Sequence, residues 1–93
     1  MSREVSWVTK PIEATKSHRC PCCNFKTLYG RGQDEICEVC FWQDDGQDEP
    51  DADVALGGPN RLSLSEARSN LLRLGAIEER FKMHVRSPME DEI

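Results

Sequence analysis

The sequence predicts a small α+β fold, and three observations predict it. Two cysteine pairs lie close together in the first half, β-branched and aromatic residues flank them, and a capped amphipathic stretch follows in the second half. The pairs are Cys20-x2-Cys23 and Cys37-x2-Cys40. Two pairs at this separation can set four sulfurs at the corners of a tetrahedron, the arrangement that structural zinc sites accept. A thin core makes such a site necessary. Leu, Ile, Val and Phe total 19 of 93 residues, and a short chain with so little apolar mass needs a metal, disulfides or a partner to stay folded.

The cysteine count favours the metal over disulfides. Five is odd, and the start Met1-Ser2-Arg3-Glu4-Val5-Ser6-Trp7 has no signal-peptide-like apolar run, so a reducing, cytoplasmic setting is expected. No stretch reaches the roughly 20 apolar residues of a membrane span. The net charge is -5, and its placement is informative. Asp44, Asp45, Asp48, Glu49, Asp51 and Asp53 fall within ten residues that hold no Lys or Arg. That balance disfavours a phosphate backbone as partner, because such binding needs clustered cations.

In order along the chain, residues 4–9 suit a short strand that ends before Pro11, with Trp7 as a core residue. The first cysteine pair reads as a tight knuckle, with Asn24 at a position that wants positive φ. Residues 25–29 suit an outgoing strand, Gly30 to Asp34 a turn, Glu35-Ile36 the return, and Phe41-Trp42-Gln43 a third strand. This hairpin between two knuckles is a zinc-ribbon layout, spanning about 17–46. An acidic loop over 44–60 follows. It is not an EF-hand, since Val54 and Asn60 stand where that loop needs Gly and Glu. It reads either as a solvated loop or as a contact surface for a basic partner.

Ser63-Leu64-Ser65-Glu66 is a capping box opening a helix whose apolar stripe is Leu64, Ala67, Leu71 and Leu74, with Gly75 as the stop. One or two helices are expected in this half, the second running from Ala76 to about Arg86 on the spacing of Ile77, Phe81 and Val85. The helical part thus covers 63–86, and Met89 to Ile93 is expected to fray. All 93 residues are expected to form one domain. Leu72 and Met83 add apolar surface beyond the two stripes, which a homodimer or another partner could cover.

The four ligands are assigned as Cys20, Cys23, Cys37 and Cys40, with one zinc per chain. Cys22 is the spare thiol, read first as simply a small packed residue, with an alternative ligand or a redox-sensitive group as the other readings. His18 is a weaker substitute ligand, and His84 stands alone near the end of the predicted second helix. Four thiolates close the coordination shell, and no nucleophile–base pair accompanies them, so the expectation is a non-enzyme. The residues quoted above resemble the bacterial cysteine-rich family named for its CPCC motif. The resemblance rests on Cys20-Pro21-Cys22-Cys23, on Ile36 to Gly46, on Gly57-Gly58-Pro59-Asn60 and on Leu62 to Arg68. Asn24 and Glu38 depart from the Gly and Pro that such sequences often carry there. The resemblance implies a zinc-binding domain with no implied activity, and small acidic chains of this kind also look like immunity proteins. The expected function is a non-catalytic zinc module for protein–protein interaction, of immunity or antitoxin type, with Asp44, Asp45, Asp48, Glu49, Asp51 and Asp53 as the partner-binding face. The alternatives are a nucleic-acid-binding ribbon using Lys26 and Arg31, and a redox sensor using Cys22.

Overall fold

The computed structural model describes residues 16–55 and 58–93. The strand expected over 4–9, and Trp7 with it, lie outside those residues. Two strands, β1 (His18–Arg19) and β2 (Lys26–Leu28), pair antiparallel around the first knuckle. An isolated bridge, Ile36 to Gln43, does the same around the second. Backbone bonds from Cys37 N–H to Trp42 C=O and from Asp44 N–H to Glu35 C=O extend that second arm. The fold is a small zinc-ribbon-like α+β structure, as predicted, but the strands are arranged differently. Each Cys-x-x-Cys turn reverses the chain on itself, so the segment leaving a knuckle pairs with the segment that entered it. The expected pairing across residues 30–34 is replaced by a bend, where Tyr29 N–H bonds the Glu35 carboxylate.

The β1–β2 register contains a bulge. His18 faces Leu28 while Arg19 faces Lys26, so Thr27 is the extra residue. An extra residue breaks the alternation of a strand and re-aims a side chain. Thr27 and Leu28 are accordingly both fully buried.

The helix α1 (Leu64–Leu74) starts at the capping box read from the sequence. Ser63 Oγ accepts from Glu66 N–H, and the Glu66 carboxylate accepts from Ser63 N–H. Such a cap is worth about 1 kcal/mol. Leu64 and Ala67 are buried against the cysteine cluster, with Leu71 packed beside them. Gly75 ends the helix at φ 86, a left-handed conformation in which its N–H closes on Leu71 C=O. Arg68 reaches from α1 to Pro21 C=O at 3.0 Å, tying the helix to the first knuckle.

The predicted second helix is corrected. Ala76 and Ile77 are buried core residues, and Ile77 N–H bonds Cys40 C=O at 3.1 Å. That bond holds the chain extended past the second knuckle, so only a 3-10 segment, Glu79–His84, forms beyond it. Phe81 stacks on Phe41 with ring centroids 4.2 Å apart. Arg86 N–H then bonds Glu38 C=O. Residues 76–86 are a strap across the second knuckle.

The fraying expected after Pro88 is also corrected. Glu90–Glu92 is a 3-10 turn, and Glu92 is only 5% exposed. Both Glu92 carboxylate oxygens accept from Arg86 at 2.8 Å, while Arg86 also donates to Glu38. The Arg86 guanidinium, helped by Met89 N–H, lowers the Glu92 pKa to about 2. A lowered carboxylate pKa contributes stability that is complete above its ordinary value and is lost as the pH falls through the folded one. The turn should therefore hold at neutral pH and release between about pH 4.5 and 2. Acid also protonates metal-bound thiolates, so Glu92→Gln at pH 7 is the cleaner test. A loss of about 1–2 kcal/mol in denaturant melts is expected; a melt identical to wild type would contradict the anchoring.

Candidate metal centre

Two local turns of the same design build the site. In the first knuckle Asn24 N–H bonds Cys20 C=O at 2.8 Å and Cys20 N–H bonds Phe25 C=O at 2.9 Å. In the second, Phe41 N–H bonds Cys37 C=O at 2.8 Å and Cys37 N–H bonds Trp42 C=O at 2.9 Å. Cys22 N–H points at Cys20 Sγ and Val39 N–H at Cys37 Sγ, each at 3.4 Å. The residue after each second cysteine takes positive φ, Asn24 at 67 and Phe41 at 75. Asn24 is the residue that the sequence marked for this. Phe41 was not marked, because a bulky side chain is unfavourable there. Its stack on Phe81 compensates, with His84 tilted 5.8 Å away on the same cluster.

The four predicted ligands converge. The sulfurs of Cys20, Cys23, Cys37 and Cys40 all lie within 4.8 Å of one another. Cys20 to Cys40 and Cys23 to Cys37 are both 3.6 Å. A tetrahedron with zinc–sulfur bonds of about 2.3 Å has edges of about 3.8 Å, so the residues present fit a metal. Three of the sulfurs belong to fully buried residues, and Cys23 is half-buried. As bare thiols they cannot all ionise. Hydrogen bonds from Cys20, Cys23 and Cys40, with a further one from Thr27, push Cys37 strongly down. The Cys23 neighbour pushes Cys20 strongly up, and Cys20 does the same to Cys40. A divalent cation removes that conflict by carrying the opposite charge.

Cys22 is buried beside the cluster at 8% exposure, outside the four-sulfur group. His18 lies exposed on β1 and is not among the clustered ligands. Trp42 lies in the same core as the cysteines, fully buried, and its Nε1 has no hydrogen-bond partner among the described residues. Packing alone holds the indole.

The acidic loop differs from the exposed run that the sequence suggested. Asp44, expected on a partner-binding face, is fully buried. It accepts from Arg31 Nε at 2.8 Å, Gly32 N–H at 2.7 Å and Gly46 N–H at 3.2 Å. Arg31 also pairs with Asp48 at 2.8 Å and donates to Gln47 C=O. Asp48 and Asp51 form a capping box on the 3-10 turn Glu49–Asp51, and Asp45 accepts from Gln47 N–H. Glu49 and Asp53 remain exposed, paired with Arg68 and Ser65 respectively. The cations that the loop lacks in sequence come from Arg31 and Arg68 in space.

Asn60, Gln47 and Thr27 are site-building residues that sequence reasoning missed. The Asn60 amide both donates to Gln43 C=O and accepts from Gln43 N–H, standing in for a strand beside the second arm. Gln47 is buried and donates to the carbonyls of Asp51 and Val54, closing the loop from inside. Their one signal was Asn60 within Gly57-Gly58-Pro59-Asn60.

The fold and the sulfur cluster define a small ribbon in which four cysteines lie close enough together to hold a metal ion. Residues 18–92 match the family described as Cysteine-rich CPCC, and the chain belongs to that family. No curated protein and no solved structure gives a significant match.

Proposed function

We propose that this chain is a non-catalytic module in which a structural zinc ion holds a ribbon that binds another protein, in an immunity- or antitoxin-type role. The observation that carries the reading is the four-cysteine cluster. Four thiolates in a tetrahedron suit zinc and leave no position for substrate or water. Such a site stabilises a shape, and the shape then does the work. No helix among the described residues is long and apolar enough to cross a membrane.

The surface left for a partner is narrower than the acidic run as a whole. Glu49 and Asp53 are exposed and Asp45 is half-buried, whereas Asp44 is enclosed. Leu72 and Met83, 90% and 92% exposed, offer apolar contact on the helical side, to another protein or a second copy of the chain. The nucleic-acid alternative is weakened because Arg31 is already held by Asp44 and Asp48.

Capture from cell extract on immobilised chain tests the reading, with the triple variant Asp45→Asn, Glu49→Gln, Asp53→Asn alongside. A protein retained by wild type and lost by the variant is expected, with association slowed by salt. Equal retention by both would remove the acidic face from the account. Steeply salt-dependent binding of arbitrary single-stranded DNA would favour the alternative.

A further inference from the structure

We propose that Thr27 tunes the metal centre: its hydroxyl donates to the Cys37 thiolate, stabilising the charge that sulfur carries toward a bound divalent metal and slowing metal loss. The inference rests on the metal-binding reading of the four cysteines. Thr27 Oγ1 lies 2.9 Å from Cys37 Sγ, and the side chain is fully buried. A metal-bound thiolate can only accept, so the hydroxyl must be the donor. The competing acceptor, Phe25 C=O, is farther at 3.4 Å and uncharged. Hydrogen bonds to a charged partner are the stronger kind.

The bulge between β1 and β2 explains how Thr27 gets there. A regular strand would alternate residues 26, 27 and 28 between faces. The extra residue lets Thr27 and Leu28 both point inward. The result breaks the near-symmetry of the two knuckles. Cys20 receives the Cys22 amide, whereas Cys37 receives both the Val39 amide and the Thr27 hydroxyl. Partners of this kind orient ligands, and their loss typically weakens metal binding about 10–100-fold.

A purely packing role for Thr27 predicts that its methyl matters and its hydroxyl does not. Thr27→Val keeps the shape and removes the donor; Thr27→Ser does the reverse. The full chain is reconstituted with zinc alone, and affinity is read by competition with a chromophoric chelator. Release into excess chelator gives the rate. Thr27→Val should bind about 10-fold more weakly and release faster, with Thr27→Ser close to wild type. Wild-type affinity in Thr27→Val, or equal weakness in both variants, overturns the proposal. Failure of the wild-type chain to bind zinc sinks the metal reading itself, which is a different result. Should Thr27→Val not fold, the cobalt(II) form decides. Its sulfur-to-metal charge-transfer band should stay in place in Thr27→Ser and move to lower energy in Thr27→Ala, where the thiolate loses its donor. A band shifted equally in both overturns the proposal.

Discussion

Removing the metal should unfold most of this chain, and the strap over residues 76–86 should come away with the ribbon. Structural zinc contributes on the order of 10 kcal/mol in small domains, more than their usual net stability. Among the described residues the buried hydrophobic set is Leu28, Val39, Trp42, Ala52, Leu64, Ala67, Ala76 and Ile77 together with four of the five cysteines. Without the metal that core has a cluster of repelling or protonated sulfurs at its centre. The strap is anchored on the second knuckle through Ile77 to Cys40, Arg86 to Glu38 and Phe81 on Phe41. A knuckle that opens takes all three anchors with it. Chelation, or Cys37→Ser, should abolish the cooperative thermal transition and, in a Trp7→Phe background that leaves Trp42 as the one tryptophan, red-shift its emission. Hydrogen exchange should show residues 77–86 losing protection with the knuckles. A chelated chain that melts cooperatively at the original temperature would refute the metal's structural role.

The second large effect is expected at Asp44. Its carboxylate is fully enclosed and ties Arg31, Gly32 and Gly46 together. Removing one member of a buried ion pair costs about 3–5 kcal/mol, because the other member and the freed N–H groups lose their partner. Arg31 is 31% exposed and keeps Asp48, so Asp44→Ala should sit near the lower end, about 3 kcal/mol. For a domain of this size that is a drop in Tm on the order of 15 °C. Asp44→Asn should fall between wild type and Asp44→Ala, since its amide oxygen can still accept from Gly32. Asp53→Asn, on an exposed residue, should change stability by less than about 0.5 kcal/mol. An Asp44→Ala protein as stable as Asp53→Asn would contradict the enclosed role and return Asp44 to the surface face.

The local features of this fold were legible because their causes are local. Cys-x-x-Cys spacing fixes a tight turn, Asn at position 24 tolerates the φ of 67 that the turn needs, and Ser63 with Glu66 caps a helix within four residues. Gly75 stops that helix where no β-carbon is tolerated without strain. The acidic loop was misread for the opposite reason. Its charges are neutralised by Arg31, thirteen residues before Asp44, and by Arg68, nineteen after Glu49. No window of sequence connects those positions. The second helix failed similarly, since the periodicity of Ile77, Phe81 and Val85 is outweighed by the bond between Ile77 and Cys40.

From the sequence alone follow the four cysteines that cluster, the α+β class and the first helix, since each depends on side chains a few residues apart. Tertiary structure decided which carboxylates face solvent, how the strap closes and which hydroxyl touches a ligand sulfur. Those outcomes depend on groups that meet only after the chain has folded around the cysteines. A bulge of one residue at Thr27 is enough to turn a strand threonine into a partner of Cys37, and nothing in its neighbours in sequence marks it.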